Sequence, residues 1–303
     1  MDSFLGDCCF NVANQSSLQT KRWSCMSGVV GRKGLGPVGL SFLILGAITT
    51  LLPFYFMFVF STHERSEIFS VPPPLWFGSF FFDNVGILIQ KIPFWINLGW
   101  SIYVGFAATA LTLLFCSMAG FAFAAYNFRG KNALFALVMA TMIIPAFLGM
   151  VPSFILMDTL GWIDQPRALY LPAAAPALGI FLMRQYIQSA IPKDLLEAAR
   201  LDGCGEFSIY WRVVVPLLGP AFGTLGLIAF IGSWNNFIGP LIVMRSVERY
   251  TFPLALRSVQ SPVDTEWGAL MAGSVVAVLP LIIIFIFSSK KLIAGLTSGA
   301  VKS

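Results

Sequence analysis

Charged residues are scarce in this chain, at 11% of its 303 residues, whereas an average soluble domain carries about 25%. They are also clustered, and the stretches 34–62, 92–128, 132–157, 213–244 and 267–289 contain none. Each stretch can supply the roughly 20 helical residues that cross a hydrocarbon layer about 30 Å thick. Since 57% of the residues are apolar and the mean hydropathy is +0.80, the sequence excludes an ordinary soluble domain and predicts an integral membrane protein.

Residues that build metal and nucleotide sites are scarce as well. His63 is the single histidine, which excludes a site made of several histidines. The cysteines are Cys8, Cys9, Cys25, Cys116 and Cys204. They form no C-x-x-C pair and show no zinc-ligand spacing, and Cys116, within an apolar stretch, is predicted to be a buried core residue. The chain also lacks the G-x-x-x-x-G-K-[ST] motif of a P-loop and offers no catalytic cluster for a membrane enzyme.

The hydrophobic pattern predicts an all-α fold with six membrane-spanning helices. We place these spans at 36–60, 96–123, 132–157, 168–188, 217–243 and 267–288. The fourth is retained because Arg184 stands near its end, where an arginine can reach the headgroups. Prolines inside the spans predict kinks; they are Pro53, Pro145, Pro152, Pro176, Pro240 and Pro280. The transmembrane domain is therefore expected to occupy residues 36–288.

The distribution of lysine and arginine predicts the orientation. With both ends inside the cell, 13 of the 19 lysines and arginines lie on the inner side, a bias of about two to one that obeys the positive-inside rule. The net charge of +5 then records orientation, and no nucleic-acid partner is expected. Residues 1–35 and 289–303 become cytoplasmic tails, of which the first is expected to be disordered.

The predicted outer segment 63–94 is rich in proline and aromatic residues. They are Pro72, Pro73, Pro74, Trp76, Phe80, Phe81 and Phe82. Aromatic residues at this depth usually form a belt at the membrane interface. A docking surface for a partner outside the cell is the alternative.

The longest inner loop, 189–216, has the pattern of two short helices. Pro192 and Asp194 suit a first helical turn, Leu195 and Leu196 form part of an apolar stripe, and Gly203 supplies a stop. A second helix is expected over about 206–214, before Pro216 opens the fifth span. Such a segment can rest in the headgroup layer. Its small alanines and charges of both signs instead favour seating in a groove on a protein.

The same loop carries a motif with fixed spacing. Glu197-Ala198-Ala199 is followed after three residues by Gly203, and after nine more by Val213-Val214-Val215-Pro216. This arrangement resembles the EAA loop of ABC-transporter permeases, EAA-x3-G-x9-I-x-L-P. Val213 and Val215 depart from it by replacing isoleucine and leucine, and both remain apolar and branched.

Further segments resemble the carbohydrate-uptake branch of these permeases, and in particular the smaller, maltose-type subunit with six spans. They are Arg184-Gln185-Tyr186, Ile191-Pro192-Lys193, Asp202-Gly203, Trp234-Asn235-Asn236-Phe237 and the tail from Gly295 to Lys302. The resemblance extends over about 36–302, nearly everything after the N-terminal tail.

The resemblance implies a type I ABC importer permease fold and a transport subunit that is not itself an enzyme. It also implies a bacterial or archaeal inner membrane, a second permease that completes a heterodimeric pore, two ATPase subunits that bind Mg-ATP, and an extracytoplasmic solute-binding protein. This chain would hold no cofactor or metal. The expected coupling residues are Leu196, Glu197, Ala198, Ala199, Asp202, Gly203 and Pro216, with a second ATPase contact at Gly295, Gly299 and Lys302.

The polar residues Trp234, Asn235 and Asn236 lie inside the predicted fifth span. Amides there either hydrogen-bond across helices or contact a polar solute in the pore. The expected solute is a sugar or sugar derivative; a polyol, a glycerol phosphate ester, an oligouronide or a non-sugar is the alternative. An ATP-independent secondary transporter or channel is a further alternative, although no charged residue lies within the spans away from their ends.

Overall fold

The computed structural model describes residues 36–261 and 265–300, and within these ranges the chain forms helices and turns but no strand. The α-helices are α1 (Pro37–Phe60), α2 (Arg65–Ile68), α3 (Phe81–Lys91), α4 (Phe94–Ala125), α5 (Lys131–Ala140), α6 (Met150–Thr159), α7 (Arg167–Tyr170), α8 (Ala177–Ala190), α9 (Lys193–Leu201), α10 (Glu206–Ile209), α11 (Val215–Leu217), α12 (Gly219–Trp234), α13 (Ile238–Val243), α14 (Phe252–Ser258) and α15 (Trp267–Ala300). The all-α fold class is therefore confirmed for the described residues. The predicted tail 1–35 lies outside them.

The chain divides into two units, one ending at Tyr55 and one beginning at Phe56. In the first unit, the described residues belong to α1, whose apolar side chains are exposed. Three hydroxyl groups along it bond back to carbonyl oxygens four residues earlier, from Ser41, Thr49 and Thr50. These bonds satisfy polar side chains within the helix itself, as hydrocarbon surroundings require.

Among the residues that the structure describes, three helices are long and apolar enough to cross a membrane. They are α1, α4 and the Trp267–Ile286 part of α15, and the bent pair Glu206–Leu217 and Gly219–Trp234 would make a fourth. The predicted third span is divided into α5 and α6, the fourth into α7 and α8, and the fifth into α12 and α13. The count of six spans and the orientation of the termini therefore stay predictions.

Prolines account for two of these breaks. Pro145 and Pro176 have extended ψ angles of 129° and 139° and stand directly before helical segments, because a proline lacks the N–H that a helix interior needs. Pro53 and Pro280 instead lie inside continuous helices. The predicted helix irregularities thus appear at some of the prolines and not at others.

Helix α4 is the central element of the second unit, and α8 crosses it at a contact between small residues. A Cβ atom on Gly120 would lie 2.6 Å from Cβ of Met183, and one on Gly179 would lie 2.7 Å from Sγ of Cys116. Close approach of this kind lets two helix backbones pack without a hydrophobic driving force. Cys116 is fully buried in this contact, which confirms its predicted place in the core.

At its Phe94 end, α4 is fastened to the segment that follows α13. The amide of Asn97 donates to the carbonyl oxygens of Val247 and Tyr250 at 2.7 and 3.0 Å, and Ser101 Oγ accepts the Phe252 N–H at 2.6 Å. Because Asn97 and Ser101 are buried, these bonds satisfy the NH₂ group of Asn97 and the hydroxyl oxygen of Ser101, which would otherwise be costly to bury. They fix the segment 247–252 against the first two turns of α4.

The predicted aromatic segment 63–94 contains α3. This helix packs on α15 through a cluster that includes Leu88 and Leu270. His63 bridges the Glu67 carboxylate and the Trp76 carbonyl oxygen at 2.7 and 2.8 Å. Trp76 and Phe82 are exposed by 79% and 82%. The interfacial belt and the docking surface both stay predictions for this segment.

Candidate functional site

The EAA loop, residues 189–216, is anchored by one leucine. Leu196, on α9, is 4% exposed and belongs to a buried cluster with Ile187, Ile191 and Ile209. Burial of a leucine side chain contributes about 1.5–3 kcal/mol. This anchor holds α9 against the ends of α8 and α10 and leaves the other face of α9 free.

The end of α9 is a Schellman motif centred on Gly203. The Gly203 N–H donates to the Arg200 carbonyl and the Cys204 N–H to the Ala199 carbonyl, each at 3.0 Å. Gly203 has a φ of +80°, in the left-handed region that glycine adopts most easily. The helix stop predicted at this glycine is thus confirmed, and it turns the chain sharply from α9 into α10.

An ion pair joins the two short helices to the end of α4. Nε of Arg200 donates to Oε1 of Glu206 at 2.7 Å, and the Tyr126 hydroxyl donates to Oε2 of the same carboxylate at 2.7 Å. Arg200, and after it Tyr126, hold the pKa of Glu206 below its usual value. Burial, followed by the bond to Glu206, raises the pKa of Tyr126 to about 12, so this phenol stays a donor at neutral pH.

This three-residue connection was not found by sequence reasoning. The available signal was the Arg200-x5-Glu206 spacing around a glycine stop, which brings two oppositely charged side chains together only after the turn is formed. Tyr126 is 80 residues away from Glu206 in sequence, and no local pattern predicts its approach.

The loop returns toward the membrane domain through a π-helical turn over Tyr210–Val214, after α10. Tyr210 is buried, and its hydroxyl lies 2.7 Å from Oγ of Ser117 on α4. The short segment ending at Leu217 then meets α12 at an angle of 81°. The second helix predicted over about 206–214 is confirmed in extent, although its second half is π-helical.

The free face of α9 carries Glu197 and Ala198, which are exposed, while Ala199 is half-buried against the core cluster. Asp202, Gly203 and Pro216 are exposed as well. A cavity of about 490 Å³ lies beside α9, and Glu197 borders it together with Lys131 and Lys193. The predicted coupling residues are therefore brought onto one loop, with a buried leucine on one side and small or acidic residues on the other.

The predicted tail contact lies at the end of α15. Gly295 and Gly299 belong to this helix, which ends at Ala300, and Lys302 lies outside the described residues. Contact of this tail with an ATPase stays a prediction.

The predicted pore residues occupy the break between α12 and α13. Trp234 is buried, donates from Nε1 to the Ala277 carbonyl oxygen at 3.0 Å and stacks on Phe230 at 5.6 Å. Its side chain thus contacts α15 and its own helix, α12. Asn235 and Asn236 are exposed, and Oδ1 of Asn236 accepts the Gly239 N–H at 3.1 Å, where the helix restarts. Contact with a solute stays a prediction for these amides.

No group of three or more metal-ligating side chains occurs among the residues that the structure describes.

A protein-family model described as "Binding-protein-dependent transport system inner membrane component" matches residues 65–297 of this chain. The matched region includes the whole EAA loop and the break between α12 and α13. It begins after α1.

Curated relatives match over nearly the whole chain. The chain is 39% identical over 269 residues to the arabinooligosaccharides transport system permease protein AraQ of Bacillus subtilis (strain 168), covering 86% of this chain and 94% of the relative. It is 31% identical over 265 residues to the lactose transport system permease protein LacG of Rhizobium radiobacter, covering 88% and 96%. It is 28% identical over 279 residues to the sn-glycerol-3-phosphate transport system permease protein UgpE of Yersinia enterocolitica serotype O:8 / biotype 1B, covering 89% and 99%.

A solved structure has the same fold. A chain from a bacterial ABC transporter involved in the import of the acidic polysaccharide alginate superposes with a TM-score of 0.77 at 24% sequence identity, covering 85% of this chain and 96% of that chain. At this identity the likeness shows the fold alone.

Proposed function

This chain belongs to the family of binding-protein-dependent transport system inner membrane components, and from that premise we propose that it forms half of the translocation pore of an ATP-driven sugar importer. The resemblance to ABC permeases that the EAA motif predicts is thereby confirmed. The chain is a transport subunit rather than an enzyme. In this proposal, ATP hydrolysis takes place on a separate ATPase that holds Mg-ATP, and this chain binds no cofactor or metal.

The geometry of the EAA loop carries the proposal. Leu196 fastens α9 from behind, and Glu197 and Ala198 stay exposed on its front. Small side chains let a helix come close to a partner surface, and an exposed carboxylate offers a partner cation a charge-assisted bond. We therefore assign α9 as the helix that docks in a groove of the ATPase.

Three connections would carry movement of α9 into the membrane domain. Arg200 and Glu206 couple α9 to α10, Tyr126 couples both to α4, and the segment ending at Leu217 leads into α12. A pull on α9 by the closing ATPase would therefore act on α4 and α12 together. These helices would swing the pore between its inward-facing and outward-facing states.

The remaining subunits follow from the same assignment. A second permease would complete the pore as a heterodimer, and a solute-binding protein would deliver the solute from outside. The chain would lie in the inner membrane of a bacterium or archaeon with six spans and both termini inside, since the lysine and arginine bias favours that orientation. The divided helices α5–α6, α7–α8 and α12–α13 would each make one span. Gly295, Gly299 and Lys302 would form the second ATPase contact.

A sugar is the proposed solute because the relatives named for arabinooligosaccharides and lactose match at 39% and 31% identity. A glycerol phosphate ester is the second candidate, since a relative named for sn-glycerol-3-phosphate matches at 28%. A polyol, an oligouronide or another non-sugar solute is distinguished from these by screening ligands of the co-purifying binding protein.

The coupling role is tested by charge reversal on α9. We expect Glu197→Lys to abolish ATP-dependent uptake in proteoliposomes containing the complete transporter, because the lysine would repel the partner cation. Membrane insertion of the chain should be unchanged. Asp158→Lys is the matched control: it reverses the same charge at an exposed position of a helix, α6, outside the EAA loop, and should retain most of the uptake.

Two results would contradict this proposal. Full uptake by Glu197→Lys would remove the coupling role of α9. Uptake by the purified chain alone, without ATP or an ATPase, would instead identify a secondary transporter or channel.

A further inference from the structure

A cavity of about 720 Å³ lies at the Phe94 end of α4, far along the chain from the EAA loop. Its first wall is one face of α4, formed by Trp95, Gly99, Trp100 and Tyr103. Its second wall is the segment from Gln165 to Tyr170. Ligand pockets in proteins commonly have volumes of about 300–1,000 Å³, so this cavity has room for a small solute.

The aromatic rings of the cavity are held at fixed angles by one another. Trp100 and Tyr103 meet edge to face with ring centres 5.8 Å apart, and Tyr103 and Tyr170 do the same at 5.8 Å. Trp95 rests edge to face on the buried Phe94 at 4.9 Å, yet 69% of it is exposed. Each ring is thus restrained by an edge-to-face neighbour, and Trp95 and Tyr103 are at the same time exposed.

Polar groups stand among the rings. The Gln165 amide and the Arg167 guanidinium line the cavity, and the guanidinium lies over the Trp162 ring at 5.7 Å from its centroid. The two tyrosine hydroxyls are 3.5 Å apart, a long contact that leaves donors and acceptors available. A guanidinium is costly in hydrocarbon, so this wall is suited to water or a polar ligand rather than to lipid chains.

Gly99 lines the cavity on the α4 side and places no side chain in it. A Cβ atom added there would meet no atom within 4 Å, so no neighbouring helix in the described part of the chain requires a glycine at this place. Glycine inside a helix is unfavourable relative to alanine. With no side chain at position 99, the backbone of α4 is open to a ligand in the cavity.

The second wall is fastened in place by Asp164. Oδ1 of Asp164 accepts the N–H groups of Arg245 and Ser246 at 3.0 Å each, and Oδ2 accepts the Ser246 hydroxyl. Arg249 donates to the Asp164 carbonyl oxygen. These bonds fix the residue directly before Gln165 to the segment 245–249. Since Asn97 bonds to Val247 in that segment, the polar wall of the cavity is held in place relative to α4.

We propose that this cavity is a saccharide-binding site, separate from the amides between α12 and α13. The ring faces of Trp95, Trp100 and Tyr103 suit the C–H faces of a sugar ring, and Gln165 and Arg167 suit its hydroxyl groups. The site lies within the first ten residues of α4, or about 15 Å of its start. In the proposed orientation this is the outer end of the pore subunit, where a solute first leaves its binding protein. The inference rests on the proposed function.

The test fills the cavity without removing a polar group. The complete transporter, with its binding protein, is reconstituted in proteoliposomes and assayed for ATP-dependent uptake of labelled arabinotriose, lactose and glycerol 3-phosphate. Gly99→Leu should raise the KM for the transported saccharide about tenfold, the loss expected when one aromatic contact is blocked. Trp95→Ala should raise it as well; this side chain is largely exposed, so its removal leaves folding intact.

Gly86→Leu is the matched control. Gly86 also lies inside a helix, α3, with no atom within 4 Å of an added Cβ, and it does not line the cavity. Its KM should stay within about twofold of the parent value, by the usual small effect of surface substitutions.

The outcomes separate this inference from the proposed function. A parent transporter that takes up none of the saccharides in an ATP-dependent manner would overturn the proposed function, and this site with it. Normal uptake by the parent, with unchanged KM in Gly99→Leu and Trp95→Ala, would overturn the site alone. The aromatic residues of the cavity would then be part of a belt at the membrane interface. Loss of the second permease from the purified Gly99→Leu complex would show that the cavity is filled by that subunit, and would also overturn the site.

Discussion

Substitution of Gly203 tests whether the EAA loop needs a backbone conformation or a small side chain. The position has a φ of +80°, and an added Cβ atom would meet nothing within 4 Å in the described chain. Any cost within this chain is therefore conformational. Placing an L-residue in the left-handed region costs about 1–2 kcal/mol, and asparagine is the side chain that adopts it most readily after glycine.

The expected order of ATP-dependent uptake is Gly203, then Gly203→Asn, then Gly203→Ala, and last Gly203→Val. A cost of about 1–2 kcal/mol reduces the population of the capped conformation roughly 5- to 30-fold, so the alanine variant should lose most coupling. A branched valine should lose more. The assay is uptake in proteoliposomes containing equal amounts of each purified complex, with co-purified ATPase measured on the same samples.

A different order would refute this reasoning. If the ATPase surface required only a small side chain at position 203, alanine would perform better than the larger asparagine. Equal uptake by the asparagine and valine variants would show that the left-handed turn is not needed for coupling.

Two further predictions concern other bonds of the fold. Burial alone would raise the pKa of Asp164. The hydrogen bonds from Ser246 and Arg245 and the charge of Arg249 outweigh burial and lower this pKa. The ionised carboxylate therefore stabilises the fold at a pH above its unfolded pKa of about 3.9, and this stabilisation is lost as the pH falls through the lower folded pKa. Asp164→Asn, which tolerates the same positive φ of 59°, should therefore reduce stability by about 1–3 kcal/mol and flatten the acid limb of a thermal-unfolding series; an unchanged acid limb would contradict this. Trp234→Phe removes the donor to the Ala277 carbonyl and should cost about 0.5–1.5 kcal/mol of stability with an unchanged KM for uptake, whereas a large rise in KM would place Trp234 in contact with the solute.

The parts of the fold set by local chemistry were predictable from sequence. Gly203 ends α9 because glycine adopts a left-handed turn, and Cys116 is buried because it lies in an apolar stretch at the crossing of α4 and α8. Long charge-free stretches located α1, α4 and the start of α15 to within a few residues, whereas α15 continues twelve residues beyond the predicted end of its span. Each of these results depends on a few neighbouring residues, and the sequence shows them directly.

The parts set by distant contacts were not predictable. Hydropathy averages the polarity of residues without regard to hydrogen bonding. It therefore predicted one continuous span where the structure has α7 and α8, separated at Pro176, and another where it has α12 and α13, separated at Asn235 and Asn236. The approach of Tyr126 to Glu206 depends on the whole path of the chain between them. For the same reason, the sequence pattern could not decide whether Trp234 packs between helices or contacts the solute. Its hydrogen bond to the Ala277 carbonyl shows that its side chain packs against α15.

The π-helical turn at Tyr210–Val214 has a consequence for how this gene can change. A π-helical turn contains one residue more than an α-helical turn. Deleting one residue within this turn would let it relax to an α-helix, so the residues on either side would keep roughly their present facing. An inserted residue would instead rotate the residues before it by about 100° relative to the residues after it. The nine-residue spacing of the motif is thus a matter of phase rather than reach, and deletion of one residue should be tolerated here more readily than insertion of one.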